Sequence, residues 1–208
     1  LNPSIALVQD AIQQLGTSEC EIMSVIDLKD AYHTLKLDEE SQKYCGITPY
    51  YGSQTYVYQR LAMGLSVSPA IWQNFITAIL AKLLRKENFL AIMDDCLIHS
   101  KLDDHEEDVD NLLKILAEYG LKVSPKKCQF MRTKLVYMGH EIQIINGRPH
   151  IAALKTRTEV IQKLMQPKGP RDCKSFCGMV NFLGMYLKDL QLKLAPIYKL
   201  TQKNTPFL

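Results

Sequence analysis

The chain has 208 residues, 47% of them apolar, enough for one large domain or two small ones around a proper core. Its net charge of +3 conceals a division: residues 1–120 hold 9 basic and 18 acidic side chains, whereas residues 121–208 hold 16 and 4. A basic segment joined to an acidic one points to a polyanionic partner, nucleic acid first, although a solvated lysine-rich surface would read the same way. No signal peptide or membrane-spanning apolar run is present. The cysteines at 20, 45, 96, 128, 173 and 177 form no CxxC pair and no zinc spacing, so reduced intracellular thiols are the natural reading.

In chain order, apolar residues at Ile5, Val8, Ile12 and Leu15 predict a helix over 4–15 that stops at Gly16. Met23, Val25 and Ile26 read as a buried strand that ends at Asp27. An acid closing an apolar strand beside a cleft is well placed to hold a metal, but a cap or turn role is the ordinary one. Asp30 carries the same ambiguity, and Tyr32 opens what reads as a second strand. Residues 38–60 are polar and turn-rich, with short runs at 44–47 and 55–58 that suggest an inserted hairpin. Ser68 is a good N-cap and Pro69 a good first residue for an amphipathic helix over 69–86. Its two apolar rows, Ile71, Phe75, Ile79, Leu83 and Trp72, Ile76, Leu80, Leu84, point to core packing. Gly64, just before it, permits either close approach to a ligand or simple turn flexibility.

The run FLAIMDDCLIHS, residues 89–100, reads as a hairpin with Asp94 and Asp95 at or beside its turn. Two adjacent carboxylates buried together would repel and lose hydration, so they belong against a cleft or a cation. At a tip they make a hard-oxygen site for Mg²⁺ or Mn²⁺, a solvated turn being the bland alternative. The second acidic cluster, Asp103 to Asp108, opens a helix carrying Val109, Leu112, Leu113 and Leu116 that ends at Gly120. Acids in a first turn complement the helix dipole, so this cluster reads as structural. A short strand over 121–123 follows, then a hairpin over 134–145 turning near Met138-Gly139 and closing at Asn146-Gly147. Pro149, Pro167 and Pro170 mark a change to helices over about 152–165, 171–187 and 190–201. The middle helix buries Phe176, Met179, Val180 and Leu183 and turns Arg171 and Lys174 outward.

The order strand, helix, aspartate hairpin, helix, strand is a split β-α-β-β-α-β arrangement of the α+β class. It brings the end of the first strand beside the central hairpin, so Asp27, Asp94 and Asp95 can converge. Three such carboxylates with a basic lobe downstream fit two-metal phosphoryl transfer on a nucleic acid.

Over essentially its whole length the chain resembles the reverse transcriptases of LTR retrotransposons and retroviruses, closest to the gypsy-type Pol polyproteins. VIDLKDAYHTLKL is similar to the first catalytic motif, YQRLAMGLSVSPAIWQ to the second and IMDD to the third. GLKVSPKKCQF and YMGHEI resemble the fourth motif and the primer grip, and CKSFCGMVNFLGMYL and PIYKLTQKNTPF the thumb and the segment before the connection. The resemblance implies a ferredoxin-like polymerase palm with partial fingers, including the insertion at about 38–60, and the primer-grip hairpin over 1–146. It implies a helical thumb and the start of the connection over 147–208.

It further implies an RNA-directed DNA polymerase using two Mg²⁺ or Mn²⁺ ions, held by Asp27, Asp94 and Asp95 with the backbone carbonyl of Leu28. Asp30, Ala31, Tyr32, Met63, Gly64 and Lys127 fall at nucleotide-binding positions, with Tyr32 as the gate against a 2′-hydroxyl and Lys127 as a proton donor to pyrophosphate. Ile92, Met93, Met138, Gly139, Lys174, Gly178 and Phe182 fall at template–primer positions. The implied partners are an RNA or DNA template–primer duplex and dNTPs, with RNase H, protease and integrase regions adjoining in a polyprotein and no membrane. The implied compartment is cytoplasmic, in a virus-like particle.

Three departures stand out. Ile92 replaces the Tyr that usually begins the third motif, Met63 replaces the retroviral Gln, and Leu1-Asn2 resembles the end of a fingers motif whose preceding strands grip the triphosphate. The last departure implies a fragment that binds metal and duplex but polymerises weakly. A catalytically inactive or domesticated nucleic-acid-binding domain is the alternative, opposed by the intact aspartate triad. An RNA-dependent RNA polymerase is disfavoured by Tyr32.

Overall fold

The computed structural model describes residues 3–202, with side chains from Val8 onward. The expectations placed on Leu1-Asn2, on Ile5 and on the end of PIYKLTQKNTPF lie outside the described residues. The chain divides into two compact units, Leu1–Met138 with Ile142–His150, and Gly139–Glu141 with Ile151–Leu208.

The first unit begins with helix α1 (Pro3–Thr17) and is built around strand β1 (Ile22–Lys29). Nearly every residue of β1 is buried, its apolar residues falling at both parities as in a strand covered on both faces. A four-residue helix α2 (Glu39–Gln42) and a small hairpin, β2 (Gly46–Ile47) with β3 (Tyr56–Val57), come next. Helix α3 (Ser68–Leu80) leads to β4 (Phe89–Ile92) and β5 (Asp95–Ser100), and helix α4 (Leu102–Glu118) leads to β6 (Lys122–Val123) and β7 (Gln129–Arg132). The sheet order is β4-β5-β1-β6, with β7 also paired to β1. That is the order of a split β-α-β-β-α-β fold, and its strand pairs are antiparallel.

Alternation along the strands sets which side chains meet the helices. Ile26 and Leu28 of β1, Cys96 and Ile98 of β5 and Phe89 of β4 pack with Trp72, Ile76, Ile79 and Leu80 of α3 and Leu112 and Leu116 of α4. The helices therefore cover one face of the sheet, and residues of the opposite parity project from the other.

A three-stranded sheet, ordered β10-β9-β8, contains β8 (Lys134–Tyr137), β9 (His140–Ile145) and β10 (Arg148–Ala153). Its turns fall at Met138-Gly139 and Asn146-Gly147, both pairs in the left-handed region that two-residue hairpin turns demand. The second unit holds α5 (Lys155–Gln162), α6 (Pro170–Asn181) and α7 (Leu190–Lys199), with Cys177, Val180, Leu190 and Leu194 at its core.

Several expectations need correction. β1 does not end at Asp27 but continues to Lys29, because Leu28 and Lys29 pair with Val123 and Lys122. Tyr32 opens a single 3₁₀ turn, not a strand. Ser68 is the first residue of α3 and not its cap: the cap is Val67, and the Ser68 hydroxyl donates instead to the carbonyl of Ala62 at 2.6 Å. The helix stops at Leu80, so Leu84 is 90% exposed, and Ile71 faces outward as well. β7 and β10 were not anticipated, and Arg148–Ala153 extends as a strand before α5 begins at Lys155. In the second unit α6 ends at Asn181, and Gly184–Tyr186 form a separate 3₁₀ turn.

Candidate active site

Ile92 pairs with Asp95, so Met93 and Asp94 alone form the turn between β4 and β5. Met93 takes a φ of 54°, the left-handed conformation such a tight turn requires. On the neighbouring strand Asp27 stands directly opposite Asp95. Directly opposed residues share a face, and here it is the face turned away from α3 and α4. The backbone amide of Leu28 donates to the carbonyl of Asp94 at 2.7 Å and carries the β1 pairing onto the turn. The carbonyl of Asp27 accepts from the Ser124 amide at 2.8 Å, just past β6, and Ser124 in turn accepts from the Lys127 amide at 2.9 Å. That turn delivers the Lys127 ammonium to 3.2 Å from Asp27 Oδ2. Asp27, Asp94, Asp95 and Lys127, separated by up to 100 positions, thus form one cluster.

Burial raises the pKa of Asp94, and the charge of Asp27 adds to it, while Lys127 opposes both. Asp95 is raised for the same reasons, burial first, then the charges of Asp27 and Asp94. Asp27 Oδ1 and Asp94 Oδ1 are buried and accept no hydrogen bond. A buried carboxylate oxygen without a partner is costly, and a cation is the partner that removes the cost of two at once. Among the described residues no three His, Cys, Asp or Glu side chains are gathered tightly enough to hold an ion by themselves. Mg²⁺ needs no such cage: it binds through one or two carboxylates and completes its octahedron with water and phosphate oxygens. The donor set present therefore fits Mg²⁺ or Mn²⁺.

Tyr32 leans over this cluster. Its hydroxyl lies 3.5 Å from Met93 Sδ, its ring centroid lies 6.0 Å from that of Trp72, and burial raises its pKa, helped by the charge of Asp94. Ala31 beside it is buried, and Asp30 is exposed with a φ of 52°. Met63 is 59% exposed, and Gly64 has a φ of 91° with open space where a side chain would stand. Asp30, Met63 and Gly64 make no hydrogen bond to the cluster among the described residues. Ile92, the last residue of β4 and the residue directly opposite Asp95, is only 2% exposed and so offers little surface for the nucleic-acid contact expected of it. Met138 closes β8 with a φ of 49°.

In the second unit Lys174 and Gly178 are exposed on α6. Phe182 caps that helix, stacks on His140 with centroids 5.2 Å apart, and carries the Arg157 guanidinium 3.8 Å over its ring. The same guanidinium lies where a side chain on Gly139 would stand, its Nη2 only 2.6 Å from the place a Cβ would occupy.

Two supporting residues escaped the sequence reading. The Trp72 indole donates to the carbonyl of Met93 at 2.7 Å, and the buried Tyr137 hydroxyl lies 3.3 Å from the carbonyl of Asp95. The signal for both was present, because a buried Trp or Tyr needs an acceptor for its polar end. Their partners are backbone atoms distant in sequence, and no pattern announces those.

Residues 3–142 match the family model described as Reverse transcriptase (RNA-dependent DNA polymerase). The chain is 30% identical over 194 residues to an uncharacterised protein of Caenorhabditis elegans, covering 89% of this chain and 14% of that protein. It is 27% identical over 203 residues to the retrovirus-related Pol polyprotein from transposon 412 of Drosophila melanogaster, covering 96% and 16%. A transposon Tf2 polyprotein of Schizosaccharomyces pombe is 26% identical over 184 residues, covering 88% of this chain and 13% of that one. The chain thus spans about one-seventh of the length of these relatives. Among solved structures, the foamy viral protease-reverse transcriptase in complex with RNA/DNA hybrid superposes with a TM-score of 0.78 at 22% identity, over 93% of this chain and 25% of that one. The complex of its dRH form with double-stranded DNA gives 0.77 at 22%, over 90% and 32%. The palm-like α+β fold of the first unit is common to this chain and those proteins.

Proposed function

The chain belongs to the reverse transcriptase (RNA-dependent DNA polymerase) family, and from that premise we propose that it is the polymerase part of a retroelement Pol polyprotein, adding deoxynucleotides to a primer on an RNA or DNA template. The observation that carries this reading is the pair of buried, unpartnered oxygens on Asp27 and Asp94, with Asp95 directly across the ladder and Lys127 at the rim. Nothing in packing asks for three acids there, and Lys127 offsets only part of the cost they add, the rest being what a bound cation would relieve.

Asp27 and Asp94 would hold the two ions with the carbonyl of Leu28, and Asp95 would complete the negative charge. Bound there, Mg²⁺ or Mn²⁺ supplies the acidification of the primer 3′-hydroxyl and the neutralisation of triphosphate and pyrophosphate charge. Lys127, already paired with Asp27, is positioned to exchange that partner for a phosphate and to deliver a proton to the leaving pyrophosphate. Tyr32 lies under the deoxyribose, where its ring excludes a 2′-hydroxyl. Asp30, Ala31, Met63 and Gly64 border the incoming nucleotide, the exposed glycine leaving its backbone approachable. Met93, Met138 and Gly139 meet the primer end, and Lys174, Gly178 and Phe182 follow the wide minor groove of the hybrid duplex, a surface suited to contacts without sequence preference. Gypsy-type lineage, adjoining RNase H, protease and integrase regions, and a cytoplasmic particle complete the reading.

The test is primer extension on an RNA template with dNTPs and Mg²⁺ or Mn²⁺, comparing the native chain with Asp94→Asn. A longer chain carrying the residues that precede these in the curated relatives runs alongside. Extension by either native chain that Asp94→Asn abolishes is the expected result. Binding of hybrid duplex by both chains without any extension would assign a nucleic-acid-binding module instead.

A further inference from the structure

We propose that Gln73 is a positioning residue for the aspartate turn, its carboxamide acting as a one-residue strand on the open edge of β4 that locks Met93 and so aims Asp94. β4 is the outermost strand of its sheet, so the backbone groups on its free side lack a neighbouring strand. Gln73 supplies one. Its Nε2 donates to the carbonyl of Ala91 at 2.7 Å, and its Oε1 accepts from the amide of Met93 at 3.1 Å. One donor and one acceptor bonding to residues two apart is the pattern a parallel neighbour would make. The amide has a single workable orientation, since reversing it would set NH₂ against N–H and oxygen against oxygen.

Gln73 is buried on the α3 face that also carries Trp72, Ile76, Ile79 and Leu80, where an amide is expensive unless both ends are satisfied. Its neighbour Trp72 holds the Met93 carbonyl, so successive residues of one core-packed helix grip both polar groups of Met93. Met93 needs that grip, because a non-glycine residue in the left-handed region persists only where its surroundings over-determine it. Asp94 is the next residue, anchored on its far side by the Leu28 amide. A rotation at Met93 would swing its carboxylate away from Asp27.

The clamp itself is independent of function. Its consequence for metal rests on the polymerase reading above, and the experiment separates the two. Amide hydrogen exchange, followed by NMR on the metal-free chain, compares native protein with Gln73→Met, which keeps length and volume without either hydrogen bond. Protection of the Met93 amide should fall about tenfold or more while the β1–β5 ladder stays protected. In Gln73→Glu the carboxylate can still accept from the Met93 amide but cannot donate to Ala91, so protection at neutral pH should lie between that of Gln73→Met and native protein, and return to the native level as the introduced carboxyl takes up a proton and can again donate to Ala91. Neither a cavity effect nor a loss of packing predicts that return. Mn²⁺ affinity, read from the paramagnetic signal of free Mn²⁺, should weaken several-fold in Gln73→Met, with hybrid-duplex affinity unchanged. Unaltered Met93 exchange in Gln73→Met would overturn the clamp, and loosened exchange with native Mn²⁺ affinity would overturn its role in aiming Asp94. Failure of the native chain to bind Mn²⁺ would count against the polymerase reading, and the exchange data would still decide the clamp.

Discussion

Asp27 and Asp95 occupy directly opposed positions across the β1–β5 ladder, two carboxylates on one face of a central strand pair. Opposed like charges destabilise a sheet by roughly 0.2–1 kcal/mol, and Asp94 adds a third acid at the adjoining turn. The compensating cation within the chain, Lys127, is 68% exposed, pairs with Asp27 and offsets the rise at Asp94 and Asp95 only in part. The chain itself therefore leaves part of this repulsion uncompensated.

Asp95→Asn should make the metal-free chain more stable at pH 7, by on the order of 1 kcal/mol. The sign follows from the raised pKa values of Asp94 and Asp95. A carboxyl whose folded pKa is raised favours the fold below its ordinary range, near pH 4, and loses that contribution as pH rises through the folded value. The gap between variant and native chain should therefore narrow as pH falls through the raised folded value toward about 4, and Mn²⁺ should stabilise the native chain more than the variant. Urea midpoints at the two pH values, with and without Mn²⁺, check this. A variant weaker than the native chain at pH 7 without metal would refute it.

His99 is buried on β5 with neither ring nitrogen hydrogen-bonded, and burial pushes its pKa down to about 4 against the opposing charge of Asp108, with His105 acting in the same direction as burial. A histidine with a depressed folded pKa contributes its full stability above the ordinary value near 6.5 and loses it as pH falls toward the folded value. His105, which bridges Ser24 and Ser100 with both contacts at 2.7 Å, is depressed as well, chiefly by burial. Stability should therefore decline between about pH 6.5 and 4. His99→Leu should remove much of that decline and raise stability at pH 7 by about 1 kcal/mol, the unpaired polar ring being gone. Thermal melting across this pH range is the measurement, and a native slope retained in His99→Leu would refute the assignment.

Asp108 is 2% exposed at its side chain and accepts from Arg85 Nε at 2.8 Å and from Asn88 Nδ2 at 2.9 Å. It ties the approach to the aspartate hairpin to α4. Asp108→Ala strands Asn88 and removes the one buried partner that Arg85 has among the described residues, Arg85 itself being partly solvated, and should cost about 2–4 kcal/mol. Hybrid-duplex affinity measured well below the melting temperature should be unchanged. A large loss of binding by the folded variant would show that this acidic helix meets the nucleic acid.

Tyr32→Ala should raise ribonucleotide incorporation relative to deoxynucleotide incorporation by about ten- to a hundredfold, since the ring over Met93 would no longer occlude a 2′-hydroxyl. Single-nucleotide extension with paired rNTP and dNTP substrates measures the ratio. An unchanged ratio would remove Tyr32 from the gate.

The acidic cluster at 103–108 shows where the sequence reading was right in kind and incomplete in detail. Asp103 and Asp104 do sit in the first turn of α4, as dipole complementarity predicts. The same stretch also conceals His105 and Asp108, which are buried and fix α4 to β1, β5 and the segment before β4. Their partners lie up to 81 positions away, and local pattern carries no trace of them. Tyr32 failed for a related reason. Its β-rich surroundings suggested a strand, but no strand is available to pair there, and the chain closes a 3₁₀ turn instead.

By itself the sequence determined the central order of strand, helix, aspartate hairpin, helix and strand, the split β-α-β-β-α-β topology, and the placing of Asp94 and Asp95 at the hairpin. These follow from periodicity, turn chemistry and the cost of placing adjacent acids in an apolar run, all of which act over a few residues. Tertiary structure alone decided that Asp27 opposes Asp95 in register, that Lys127 arrives from a turn 100 positions away, and that Trp72 and Gln73 hold the Met93 turn. Those relationships depend on strand register and on hydrogen bonds to backbone atoms. Every residue but proline has the same backbone groups, so only the folded chain determines which of them meet.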